Sequence, residues 1–425
     1  MQKISEIYKQ FLSSYGVSTD SRDDVNNKIF FALSGENFNG NKFAADAKEK
    51  GARICVIDDP TYFTTNCILV PDVLTALQQV AQHHRINNSA IILAITGTNG
   101  KTTTKELISA VLGNWVDIIS TNGNYNNHIG VPLTLLRIQS TTKIAVIEMG
   151  ANHIGEINTL CEIAQPDLGI ITNIGKAHLE GFGSFEGVIS TKNELYEYIK
   201  KNKGKIIVNS DDELLVKLSK NILKYTYGTN NANIIGEITG YKPFLKISWG
   251  SNELTYECHS QLYGKYNFSN IMAAIATGVY FEVPFGIINK AIASYSPENN
   301  RSQIINTKNN SILLDAYNAN PTSMSGAITS FSDYNYINPY LILGDMFELG
   351  IYSSSEHQAI VDLLNKEKNV ILIGNEFGKT INHSYLTFNS TEDTLDYLSS
   401  NKIIGANILI KGSRGMKLEK LLAVL

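Results

Sequence analysis

The sequence predicts an α/β protein in three parts: a small α/β unit over residues 1–85, a central unit over 86–298 and a Rossmann-like unit over 299–425. Three observations carry this. An apolar run, Ile91 to Thr96, feeds into Gly97-Thr98-Asn99-Gly100-Lys101-Thr102-Thr103-Thr104 and then into residues at helical spacing from Lys105 to Leu112. Four later apolar runs, Ser311–Leu314, Tyr340–Leu343, Val370–Ile373 and Asn407–Ile410, are separated by helical stretches, the pattern of a parallel sheet. The leading segment has its own turn punctuation and closes on a polar linker, Asn87-Asn88-Ser89.

Composition narrows the function classes. Of 425 residues, 43% are apolar and 18% charged, and a net charge of -4 offers no footprint for nucleic acid or an anionic membrane. The cysteines, Cys55, Cys67, Cys161 and Cys258, lack any metal-ligand spacing, which fits reduced thiols in a cytoplasmic protein. Polar and acidic residues stand near the N-terminus where a signal peptide has its apolar core, and no stretch approaches the ~18 consecutive apolar residues of a membrane helix.

In the first part, Ile4 to Leu12 has the spacing of a short helix and Lys28 to Leu33 that of a strand entering the turn-rich 34–40. Ala44 to Lys50 reads as a helix stopped by Gly51, Ala52 to Ile57 as a second strand, and Val73 to Arg85 as a helix. Arg22 and the 34–40 loop are candidates for holding an anionic group, with a capped turn and a solvated Arg as the plainer alternative.

The central part carries the chemistry. Strand, glycine loop and helix in that order are the context of a phosphate loop, although Gly-x-x-Gly-Lys-Thr has two residues between its glycines where the common form has four. Backbone N–H groups of 97–100 and the helix N-terminus suit an anion, Lys101 can reach β- and γ-phosphates, and the Thr102 hydroxyl can hold Mg²⁺. Two further apolar runs end in polar residues: Ile144–Ile147 leads into Glu148, and Leu168–Gly175 leads toward His178. Ligands of doubly wound sheets gather beyond strand carboxyl ends, so this carboxylate and imidazole are placed to hold magnesium over the loop. Asn122 to Pro132 reads as a loop whose amides, Asn126 and Asn127 among them, can orient a substrate. Lys192 falls in a probable helix, where by default it is a solvated surface lysine. Asn267 and Asn270, where the chain turns into a late helix, can face one ligand, or serve as an N-cap and a buried amide.

The last part lacks a dinucleotide glycine fingerprint, and its strand-end loops present Asp315, Asn318, Asn320, Asp345, Glu348 and Arg414. Arg414, between Gly412 and Gly415, suits a carboxylate held bidentately.

Together Gly97–Thr104, Asn124-Tyr125-Asn126-Asn127, Glu148-Met149-Gly150-Ala151-Asn152 and Asn173-Ile174-Gly175-Lys176-Ala177-His178 resemble the Mur ligases of peptidoglycan synthesis. Asp315 to Pro321, Leu343 to Gly350 and Lys411 to Gly415 resemble the branch that joins D-alanyl-D-alanine to a UDP-N-acetylmuramoyl-tripeptide. Asn39 stands where the family often has Asp, and Tyr266 where it often has His. The resemblance implies a three-domain architecture: an N-terminal UDP-substrate domain, a central P-loop ATPase domain and a C-terminal Rossmann-like domain. It implies ATP and two Mg²⁺ ions, with Thr102, Glu148 and His178 as metal ligands and Lys192 carbamylated to support the second ion. On the nucleotide it places Gly97 to Thr103, Asn270, Arg301, Asp315 and Asn318. On the substrates it places Ser21, Arg22, Gly35, Asn126, Asn127, Asn320 and Arg414. A cytoplasmic monomer is expected.

A free carboxylate repels an amine and has no good leaving group, so such a ligase first makes an acyl phosphate, with Lys101 and Arg301 on the phosphoryl oxygens. A sister ligase adding a single amino acid or glutamate would share the residues up to Asn270. A nucleotide-binding switch would need the loop but not Glu148, His178 and Lys192 together.

Overall fold

The computed structural model describes residues 2–251, 254–298, 300–364 and 367–425. Asn299, where the third part is expected to begin, lies outside them. Three sheets organise the chain, and a two-stranded ribbon, Ser34–Gly35 with Phe38–Asn39, fills the turn after the second strand.

The first sheet is parallel throughout, in the order Val17–Ser18, Ile29–Phe31, Ile54–Ile57, Cys67–Leu69. Alternate residues serve opposite faces, as the strand repeat requires. Ile29, Phe31 and Val56 pack with Ile7 and Leu77 of the helices Gln2–Phe11 and Val73–Ile86, whereas Phe30, Cys55 and Ile57 pack with Ala44 and Ala47.

The central sheet has nine strands. From one edge they run Leu254–His259, Lys246–Ser251, Ile234–Gly240, Leu223–Gly228, Lys205–Asn209, Leu168–Ile171, Ile91–Thr96, Ile144–Glu148, Ile118–Ser120. The first three form an antiparallel meander and the rest are parallel. Chain order reverses around Ile91–Thr96, whose neighbours are the strand ending at Glu148 and the strand leading to His178, so the crevice for a ligand opens there. Register sets the depth: Ile95 is level with Glu148, and Thr96 with Ile171.

The third sheet runs Gln303–Asn306, Ser311–Asp315, Asn407–Lys411, Pro339–Gly344, Val370–Ile373, Leu386–Phe388, with only the first strand antiparallel. The two edge strands are absent from the sequence reading because each is short and largely unburied, so neither shows an apolar run.

Two element boundaries differ from expectation. The phosphate-loop helix begins at Lys101, not Lys105, because Gly100 takes a left-handed conformation (φ +78°) and the polar Lys101–Thr104 form the first turn. The asparagine-rich segment is not a loop to Pro132: a helix spans Gly130–Leu135, since Asn127 Oδ1 accepts the N–H groups of Ile129 and Gly130. Pro132 is tolerated there because first-turn N–H groups need no helical acceptor. Among the described residues no helix is long and apolar enough to cross a membrane.

Candidate active site

The helix Lys101–Gly113 buries Leu107, Ile108, Val111 and Leu112 and so fixes the loop that precedes it. Two glycines are dictated by close approach. A Cβ on Gly97 (φ +140°) would meet Thr172 Oγ1 at 2.0 Å, and one on Gly100 would meet Asn270 Oδ1 at 2.4 Å. The neighbouring strand end clamps the loop: Thr98 N donates to Asn173 O (2.9 Å), Asn99 N to Asn173 Oδ1 (3.0 Å), and Thr172 Oγ1 to Asn99 O (2.6 Å). Lys101 Nζ donates to the Gly97 and Thr98 carbonyls at 2.8 and 3.0 Å. Burial pushes the Lys101 ammonium below its ordinary pKa, against the opposing pull of Glu148.

Glu148 closes its strand fully buried. Its N–H donates to Thr121 Oγ1 (2.9 Å) and Asn126 Nδ2 donates to its Oε1 (2.8 Å), while Oε2 is buried without a hydrogen-bond partner. A solvated oxygen costs nothing, but a buried carboxylate oxygen without a donor is expensive unless a cation takes it. His178 is held in a left-handed conformation (φ +51°) just before the helix Leu179–Phe182, and its Nδ1 lies against Glu348 Oε2 of the third part. That contact holds the Glu348 carboxyl below the usual range.

Lys192 lies inside the helix Phe185–Lys201 but is 2% exposed, which corrects the default of a solvated surface lysine. Its helix face packs on the sheet through Val188, Leu195 and Tyr196, and its ammonium stands 5.3 Å over the Phe182 ring. Burial foremost, then the charge of Lys101, brings its pKa down to about 7.

The phosphate loop, Glu148 and His178 line a cleft of about 780 Å³, a size suited to a small ligand, and Lys192, expected beside the metal, is not part of its wall. The cleft brings together Thr98 to Thr103 of the loop with Asn126, Asn127, Glu148, His178 and Asn270 of the central part, and Arg301, Asp315 and Asn318 of the third. Several of these side chains are already engaged. Asn267 stands at the N-cap position of the helix Phe268–Tyr280 without a side-chain cap hydrogen bond, and Asn270 is a buried amide whose Oδ1 accepts from Thr104 Oγ1 (3.1 Å) and whose Nδ2 donates to Asn267 Oδ1 (2.8 Å), bracing the loop. Asp315 accepts from Lys411 Nζ (2.6 Å) and Ser302 N (3.2 Å). The Arg301 guanidinium stacks on Tyr317 at 3.7 Å.

Other expected residues lie outside the cleft wall. Gly97 sits beneath the loop, and Asn320 caps the helix Pro321–Ser332 while its Nδ2 donates to Asn99 Oδ1 (2.8 Å). Arg414 is exposed, its guanidinium 5.1 Å from the Tyr317 ring. Ser21 and Arg22 stay with the first sheet, where Arg22 is paired to Asp20 at 2.5 Å, and Gly35 lies in the two-stranded ribbon. Sequence reasoning missed Tyr317 and Lys411 as cleft residues. Lys411 is 2% exposed at the end of an apolar strand, and a cation closing such a run was the available signal.

Among the described residues no three or more His, Cys, Asp or Glu side chains form a ready-made metal cluster. The donor set is Thr102, the free oxygen of Glu148 and His178, mostly hard oxygen of the kind magnesium takes, and the orphaned Oε2 fits a cation.

Fold and cleft define a phosphate-loop α/β protein in which a Rossmann-like third unit lines the same cleft as the loop. Family comparison agrees. Residues 95–278 match the Mur ligase middle domain, 300–414 the Mur ligase glutamate ligase domain, and 13–88 the Mur ligase family catalytic domain. The chain belongs to the Mur ligase family. It is 35% identical to the UDP-N-acetylmuramoyl-tripeptide–D-alanyl-D-alanine ligase of Bacillus subtilis, across 96% of this chain and 92% of that one. It is 33% identical to the same enzyme of Haemophilus influenzae, across 95% and 92%. MurF from Acinetobacter baumannii superposes with a TM-score of 0.87 at 28% identity, covering 98% and 97% of the two chains. MurF from Thermotoga maritima, solved in complex with ADP, gives 0.86 at 25% identity, covering 97% of each.

Proposed function

We propose that this chain is the ATP-dependent ligase that joins D-alanyl-D-alanine to the terminal carboxylate of a UDP-N-acetylmuramoyl-tripeptide, in the cytoplasm and as a monomer. The observation that carries the reading is the convergence, in one cleft, of the phosphate loop, a buried carboxylate with a free oxygen, His178, and Arg301 with Asp315 from the third part. Full-length similarity to ligases of this name supports it. We take 1–85, 86–298 and 299–425 as the UDP-substrate, ATP and C-terminal domains.

The γ-phosphoryl group of ATP passes to the tripeptide carboxylate, breaking the bond to ADP and making an acyl phosphate. Loop N–H groups of 97–100 and Lys101 hold the triphosphate, and Arg301 meets the phosphoryl oxygens from the other side of the cleft. Its stacking on Tyr317 keeps the guanidinium plane fixed. The neutral amine of D-alanyl-D-alanine then attacks the acyl carbon, phosphate leaves, and the amine proton is lost. Thr102, Glu148, His178 and a carbamylated Lys192 would hold two magnesium ions, which when bound neutralise phosphoryl charge. Asn126 keeps Glu148 oriented for that task. Ser21, Arg22 and Gly35 take the UDP end, whose remote binding energy orients the reacting carboxylate. Arg414 takes a peptide carboxylate and Asn320 the loop's outer edge.

Mass spectrometry tests this with ATP, D-alanyl-D-alanine and UDP-muramoyl tripeptides ending in meso-diaminopimelate or L-lysine. One tripeptide gains the mass of the dipeptide less water, with one ADP and one phosphate released. Phosphate release indifferent to the dipeptide, or equal use of single amino acids, overturns the assignment.

A further inference from the structure

Lys105 is 3% exposed on the second turn of the phosphate-loop helix, yet the reaction described above gives it no task. Burying an ammonium is unfavourable unless its protons are accepted. Here the acceptors are backbone carbonyls of one short segment: Nζ donates to Thr121 O at 2.9 Å and to Gly123 O at 3.3 Å. Glu106 Oε1 lies 3.9 Å away, at the limit of an ion pair.

That segment is the one that sets Glu148. Thr121 Oγ1 takes the Glu148 N–H, and a few residues on Asn126 takes Oε1, leaving Oε2 as the free oxygen. Asn126 is itself docked by its carbonyl, which accepts from Gly150 N at 2.8 Å, and a Cβ on Gly150 would strike Asn126 Oδ1 at 2.8 Å. Between Thr121 and Asn126 the chain has no helix or strand of its own and holds a glycine at φ +51°; Thr121 N donates to Val146 O at 3.0 Å where the segment leaves its strand, and Lys105 adds the side-chain hold on the Thr121 and Gly123 carbonyls.

We infer that Lys105 is a positioning residue: by holding the carbonyls of Thr121 and Gly123 it locks the 121–126 segment so that Asn126 selects which oxygen of Glu148 faces the phosphate loop. The inference rests on the ligase reading above. It ties loop and carboxylate to one rigid helix, so that phosphate and cation sites keep a common frame.

A double-mutant cycle on D-alanyl-D-alanine-dependent phosphate release tests it, using full-length Lys105→Met, Lys105→Arg, Asn126→Ala and Lys105→Met/Asn126→Ala. Lost support of a cation ligand typically costs about 10–100-fold. Lys105→Met is expected to lower kcat by that order with the KM for ATP little changed, and Lys105→Arg to restore most of it. In the Asn126→Ala background Lys105→Met should cost little more, because both act on the same oxygen. Hydrogen exchange over 121–127 should quicken in Lys105→Met. Additive effects, unchanged exchange there, or a loss confined to thermal stability would overturn the inference. Should Lys105→Met fail to fold, Lys105→Arg against Lys105→Gln in the same cycle decides the same point. Wild-type phosphate release that ignores the dipeptide would instead sink the ligase reading.

Discussion

Carbamylation of Lys192 is a matter of proton occupancy, because only a neutral amine adds CO₂. An ordinary lysine, with pKa near 10.4, is neutral in on the order of one molecule in 2,500 at pH 7. Lys192 is brought down to about 7 by burial first and by the charge of Lys101 second, against the opposing pull of Glu194 and Glu156. At pH 7 about half of it is therefore neutral, and at pH 6 about one tenth. The direction follows from the lowered value: protonation on going below pH 7 removes the nucleophile, so the rate of CO₂ uptake falls with acid. The experiment strips the enzyme of CO₂, returns it to a fixed concentration of dissolved ¹³CO₂, and follows the carbamate carbon by NMR. The initial rate should fall roughly fivefold between pH 7 and pH 6 and level off above pH 8. Lys192→Ala should lack the signal and should not ligate, while keeping the fold. A wild-type enzyme without the signal, a rate still climbing toward pH 10, or full activity in Lys192→Ala would refute the reasoning.

Lys101→Ala should abolish ligation and leave the melting temperature near that of the parent, because its ammonium is buried at a cost and its partners are loop carbonyls; calorimetry beside the phosphate assay reads both. Gly100→Ala forces a left-handed alanine and a Cβ against Asn270, so it should cost at least the ~1–3 kcal/mol of such strain and weaken nucleotide binding, measured by denaturant unfolding and titration with an ATP analogue. Glu348→Ala removes the third domain's contact with His178; KM and kcat should change together, and small-angle scattering with ATP analogue and tripeptide should show a more open molecule.

How much could be read in advance depended on whether position in the chain implied position in space. The run Ile91–Thr96 into Gly97 declared strand and loop at once, since few other uses exist for that order of residues. Glu148 and His178 were legible because both follow apolar runs, and strand ends of such sheets face one crevice. Lys192 was not legible from its residues: a lysine at a helical position defaults to solvent, and only the tertiary packing of Phe182 and the sheet buries it. The antiparallel meander of Ile234–Gly240, Lys246–Ser251 and Leu254–His259 was missed because its outward faces carry residues such as Glu237 and Thr255 while its inward face is built from scattered residues, Ile234, Ile247, Trp249 and Cys258. Tyr317 and Lys411 were missed as cleft residues for a different reason, although Lys411 left one trace, a cation closing an apolar run. Each meets its partner, Arg301 or Asp315, through a contact between separate segments that no local period encodes.

The contacts between the second and third parts suggest why such long-range information matters here. Asn320 reaches Asn99 within the phosphate loop, Thr322 accepts from Lys176 N at 3.2 Å, Glu356 pairs with Lys176 at 2.6 Å, and Glu348 meets His178. Every one of these touches either the loop or the segment from Gly175 to His178 that follows the neighbouring strand. The same contacts that hold the third part against the second therefore bear on the phosphate loop and on His178. These contacts at the loop are polar, each of the kind worth about 0–1 kcal/mol, but away from the loop Tyr334 of the third part stacks on Tyr263 at 4.4 Å and lies edge-on to Tyr241 at 5.7 Å. The aromatic seam is therefore the apolar, geometrically specific part of the interface, and the polar contacts add little holding energy where the third part meets the phosphate loop.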